Sequence, residues 1–75
     1  MSDRIINFRL REGEDFIRLG QLLKVCSLVQ NGGEAKYAVA EGLVLVNGKT
    51  DTARGRKIRA GDVVSFNDSR IQVEQ

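Results

Sequence analysis

Histidine is absent from this 75-residue chain, and cysteine occurs once, at Cys26. A lone cysteine forms no intramolecular disulfide, and a zinc site needs several Cys or His ligands. The serine–histidine and cysteine–histidine catalytic arrangements are excluded for the same reason. No Asp or Glu pair stands at a recognisable ligand spacing, so neither a metal nor a cofactor is expected. No apolar run is long enough to cross a bilayer. The N-terminal stretch MSDRIINFRL alternates charged and apolar residues, which suits a folded strand better than an export signal. A cytoplasmic location and no membrane partner are expected. Linkers, repeats and low-complexity segments are missing too, so the chain reads as one domain over residues 1–75. A domain near this size buries only about 60% of the surface its unfolded chain exposes. That leaves room for one small helical layer and one small sheet, and little for a deep catalytic cavity.

Charge is present and unevenly placed. The net charge is only +2. Between Lys49 and Arg59 stand Lys49, Arg54, Arg56, Lys57 and Arg59 against Asp51 alone, five positive and one negative, or +4. The remainder carries seven basic and nine acidic residues, or −2. Such polarisation says more about partners than the total does.

Periodicity supplies the elements. Ile6, Phe8 and Leu10 alternate with Asn7 and Arg9, the period of a half-buried strand. REGED reads as a charged turn. Leu19, Leu22, Leu23 and Cys26 then fall at i, i+3, i+4 and i+7, one face of a helix, with Arg18, Gln21 and Lys24 on its other sides. Gly20 in its first turn is a poor helix former, which close packing against a neighbour would explain. Asn31, Gly32 and Gly33 break the pattern. Ala35, Ala38 and Val39 predict a second helix ending near Gly42, its small buried face suited to close approach. LVLVNG reads as a strand running into the tight-turn pair Asn47-Gly48. Thr50 to Ile58 is an irregular strand weakened by Ala53 and Gly55, RAGD is a turn, and VVSF and RIQVEQ are closing strands around a turn at Asn67 to Ser69. The expected class is α+β: two short helices packed on a small, mostly antiparallel sheet of about four to five strands.

These residues resemble a known family, the RNA-binding domain named after the fourth small-subunit ribosomal protein, here the S-four domain. Its pattern opens on Arg-Leu with a further Leu on the first helix, matched by Arg18-Leu19 and Leu23. Ala35, Gly42, Val44, Val46, Asn47 and Gly48 match its second helix and Val-x-Val-Asn-Gly hairpin, and Gly61-Asp62 its last turn. The resemblance covers about residues 16–66, and the composite spacing is far more specific than any one piece. Where the family usually has Ser-Arg at the start of the second helix, this chain has Asn31-Gly32, so an RNA contact from that arginine does not carry over. NGGEAK followed by RGRK looks more like the small stand-alone bacterial members, of the YbcJ and YaaA type. The resemblance implies the L-shaped helix-and-hairpin arrangement known as the alpha-L motif. It also implies a basic face that grips structured RNA, commonly ribosomal RNA or the ribosome, and no catalysis; a monomer is expected.

Duplex RNA is recognised mainly through phosphates and 2′-hydroxyls, because side chains do not enter its deep, narrow major groove. Arginine suits phosphate because its planar fork donates two hydrogen bonds at once. Arg54, Arg56 and Lys57 are the first candidates for RNA contact, followed by Lys36 and Lys49, then Arg18, Lys24 and Arg59. For Arg4, Arg9, Arg11 and Arg70, which have acidic neighbours in sequence, the plainer reading as solvated charges is preferred. Asn47 belongs first to its turn, with an RNA contact secondary. The Asn31–Gly33 stretch reads equally as a phosphate approach to helix N–H groups or as a linker. Tyr37 is read as packed rather than stacked on a base, Asp62 as a turn residue and Cys26 as core. Against RNA binding stands a protein adaptor using the basic loop on an acidic partner; DNA binding is a weaker variant, and an enzyme finds no supporting residues.

Overall fold

Residues 4–75 are described by the structure, a computed structural model. Met1 to Asp3, the start of the stretch read as a strand and of the 1–75 domain, lie outside the described residues. The elements run β1 (Arg4–Arg9), β2 (Ile17–Arg18), α1 (Leu19–Val25), α2 (Gly32–Ala40), β3 (Val44–Val46), β4 (Lys49–Thr50), β5 (Lys57–Ile58), β6 (Val63–Phe66) and β7 (Ser69–Glu74). Five strands form one sheet in the order β1-β7-β6-β3-β4, and β2 pairs with β5 in a separate ribbon. Only β1–β7 is parallel; every other pairing is antiparallel.

Register places Ile6, Ile71, Val64 and Val46 in one cross-strand row. With Val44 and Val73 these side chains meet the Leu19, Leu22 and Leu23 stripe of α1 and the Ala35, Ala38 and Val39 face of α2 in a single core. The alanines of α2 keep its axis close to its neighbours, since a small side chain sets a short packing distance.

Both helices end in the same way. Ser27 adopts a left-handed φ of 61°, and the Ser27 and Leu28 amides donate to the Lys24 and Leu23 carbonyls. Gly42 has φ of 76°, and the Gly42 and Leu43 amides donate to Val39 and Ala38. Each is a Schellman closure, which satisfies carbonyls that a helix end leaves open. At the other end of α2, the Asn31 Oδ1 accepts from the Glu34 amide at 2.9 Å, while Glu34 Oε1 accepts from the Gln30 amide at 2.9 Å. This is a near relative of the capping box. Gly32 and Gly33 are accordingly the first two helical residues rather than a linker.

Two readings are corrected. The segment from Thr50 to Ile58 is not one irregular strand: its ends belong to different sheets, β4 and β5, with a loop between them. Tyr37 does not pack; it is 63% exposed, because it lies two residues, about 200° of helical rotation, from the inward-facing Ala35. Cys26 sits half-buried against the core, and burial pushes its thiol pKa up.

Candidate nucleic-acid interface

The basic loop is fastened to α1 by its own backbone. Helix α1 has no side-chain cap. Its first two N–H groups, at Leu19 and Gly20, instead donate to the carbonyls of Arg56 (2.8 Å) and Arg54 (3.0 Å). The helix thereby satisfies donors that would otherwise be orphaned. The loop gains two fixed points, and the Arg54 and Arg56 side chains it carries remain exposed. Gly20 makes room here: a Cβ at that position would stand 2.6 Å from Arg54 Cγ, and the Arg54 side chain would have to move. The close neighbour expected from sequence is the loop itself.

Within the loop, Asp51 is the organiser. Its Oδ1 accepts from the Ala53 amide at 2.9 Å, and its Oδ2 meets Arg56 Nη1 at 2.8 Å. Arg56 is therefore held by a carboxylate, and its guanidinium reaches any polyanion as part of a pair. Arg54 has no such acid beside it in the lining of its cleft.

The β2–β5 ribbon places Arg18 directly opposite Lys57. Like charges across a strand pair repel. Both find the same partner: the Arg18 guanidinium lies 5.2 Å and the Lys57 ammonium 4.9 Å from the centre of the Phe16 ring. The quadrupole of an aromatic face attracts cations. Arg18 Nη1 also donates to the Gly55 carbonyl at 2.8 Å, tying ribbon and loop together. Phe16 is the residue the sequence reading missed; its signal was an aromatic two positions before an arginine in an otherwise polar turn.

The nine residues chosen from sequence fall into groups. Arg18, Lys24 and Arg54 line one cleft between α1, the start of α2 and the loop. Lys49 and Arg56 line a second hollow beside the hairpin, with Asn47, Thr50 and Asp51. Lys57 adjoins Arg18 over Phe16. Lys36 is exposed on α2 and lines neither hollow. Arg59 lies in the turn that Asp62 closes, its amide donating to Asp62 Oδ2 at 2.8 Å.

Asn47 is committed to protein atoms. Its Nδ2 donates to Asp62 Oδ1 at 3.0 Å, and its Oδ1 accepts from the Val63 amide at 2.9 Å. Asn47 and Gly48 both have positive φ, 53° and 85°, as a two-residue hairpin turn of the primed type requires. Partial burial alone would raise the Asp62 carboxyl. Hydrogen bonds from the Arg59 amide and Asn47, with the Arg56 and Arg59 charges, outweigh it and hold the group below the ordinary carboxylate value. Among the described residues no His, Cys, Asp or Glu side chains gather in a set of three able to hold a metal ion, and no helix is long and apolar enough to cross a membrane.

Two helices set on a small sheet, with a basic loop clamped to the first helix, define a small α+β module built around an electropositive surface. The S4 domain profile matches residues 8–74, and the chain belongs to that family. RlbA of Bacillus subtilis, provisionally named a ribosome maturation protein, is 50% identical over 52 residues, covering 69% of this chain and 73% of RlbA. YbcJ of Escherichia coli, provisionally named an RNA-binding protein, is 42% identical over 57 residues, covering 76% of this chain and 81% of its own. The solution structure of the E. coli YbcJ, described as revealing an αL motif involved in RNA binding, superposes with a TM-score of 0.70 at 37% identity. It covers all of this chain and 92% of that one. The fold expected from sequence, two helices on a mostly antiparallel sheet in the αL arrangement, is the one observed.

Proposed function

We propose that this chain binds structured RNA, ribosomal RNA foremost, as a non-catalytic monomer in the cytoplasm, through the surface built on the loop from Asp51 to Lys57. One observation carries the reading: the carbonyls of Arg54 and Arg56 cap α1, so the cations of the loop are mounted on the helix layer rather than left on a free tether. A prepaid arrangement of this kind lowers the ordering cost of gripping a polyanion. The names of the relatives point the same way, toward RNA and ribosome maturation. Arg18, Lys24, Arg54, Lys57 and Lys49 make the main phosphate contacts, with Lys36 and Arg59 at the margin. Arg56 contributes as the partner of Asp51, and Asn47 serves the fold.

The test is binding of a fluorescent ribosomal RNA fragment across a salt series. The affinity of the wild-type chain falls steeply as salt rises, since each phosphate contact releases counterion. Replacing Arg54 and Arg56 by alanine flattens the slope of log K against log salt by about one to two. An unchanged slope and affinity would remove this loop from the interface. Competition with duplex DNA separates RNA preference from plain polyanion binding.

A further inference from the structure

The two hollows beside the loop differ in a way that matters for what each can hold. The hairpin hollow contains Asp51, which already occupies Arg56. The cleft between α1, the start of α2 and the loop has a volume of about 400 Å³, and its walls carry Arg18, Lys24 and Arg54. Among the described residues no carboxylate lines it. The rest of its lining is Gln21 and the small residues Gly20, Gly32, Ala35 and Gly55. At Gly32 a Cβ would meet nothing within 4 Å, so a side chain there would stand in free space at the mouth of the cleft.

We propose that this cleft seats one nucleotide turned out of an RNA helix, its phosphate held by Arg18, Lys24 and Arg54, so that the chain selects RNA helices carrying a bulge. The proposal rests on the RNA-binding reading and adds the kind of RNA element recognised. Phosphates of a regular duplex lie on a convex ridge and call for charges spread over an open surface. This cleft is open to solvent, but its cations come from three elements, the entry to α1, the last turn of α1 and the loop, and converge on one place. The volume falls at the lower end of the range typical of small-ligand sites, which suits a nucleotide unit rather than a bare anion. Unstacking a nucleotide costs free energy, least where the base is already unpaired. A pocket of this kind therefore favours bulged RNA over perfectly paired RNA. Arg18 is preset for the task by its bond to the Gly55 carbonyl and by the Phe16 ring.

The experiment compares two RNA hairpins identical except for one unpaired uridine in the stem, bound to the wild-type chain and to Gly32→Asp. Aspartate in the first turn of a helix complements its dipole, so this variant keeps the fold, which thermal melting verifies. The wild-type chain binds the bulged hairpin about tenfold more tightly, and Gly32→Asp abolishes that preference by placing a carboxylate among the three cations. Equal binding of both hairpins by the wild-type chain overturns the nucleotide seat and leaves the RNA reading standing. A preference that survives Gly32→Asp overturns the cleft as its source. Failure to bind either hairpin overturns the RNA reading and the seat with it.

Discussion

Phe16 shows how much a single side chain settles in a domain this small. Arg18 and Lys57 face each other across a two-residue ribbon, and the ring between them turns a repulsive pair into two cation–π contacts. At exposed sites each such contact is worth about 0.5–1 kcal/mol. Phe16→Leu keeps an apolar side chain in place and removes the quadrupole. RNA affinity is expected to drop about three- to tenfold with little change in melting temperature; unchanged affinity would show that the ring positions nothing. Asp62 gives a second prediction at this scale. Its folded-state pKa lies below the unfolded value of about 3.9, so its contribution to stability is present above that pH and is lost as pH falls through the folded pKa. Melting of the wild-type chain and of Asp62→Asn should therefore differ at neutral pH, and the gap should narrow as the pH falls below the unfolded value of about 3.9. A gap that does not narrow there contradicts the role given to the carboxylate.

At the scale of elements, ends and turns decide the architecture. Asn31 caps α2, and Asn31→Ala should cost about 1 kcal/mol, lowering the melting temperature by about 4–8 °C, while Asn31→Ser retains most of the stability. Equal stability of all three would deny the cap. These ends were largely legible in sequence: the helical stripe at Leu19, Leu22 and Leu23, the stop at Gly42 and the Asn47-Gly48 turn all appear where spacing and turn chemistry put them. The β2–β5 ribbon was not, because two residues are too few to show a period and their partners lie 41 (Ile17 and Ile58) and 39 (Arg18 and Lys57) positions away. The same distance hid the site. Sequence marked the loop as basic and Gly20 as closely packed, but nothing local says that the loop is what Gly20 packs against. Nor does it say that Asp51 holds Arg56 while Arg54 faces a cleft without acid.

At the scale of the whole molecule, the sheet has two unlike faces. Ile6, Ile71, Val64 and Val46 turn inward, and the adjoining row of Ile5, Arg70, Ser65, Leu45 and Thr50 makes up the other side. The helix layer carries the loop, the cleft and Lys36. We assign RNA recognition to that layer together with Lys49 on the adjoining edge strand of the sheet. The most direct test follows backbone amide shifts of the isotope-labelled chain as a ribosomal RNA hairpin is added. The assignment predicts that shifts concentrate at residues 16–24, 32–36 and 49–57, with the row from Ile5 through Leu45 nearly silent. Shifts centred on that outer row, with Arg18, Lys24 and Arg54 unmoved, would contradict it.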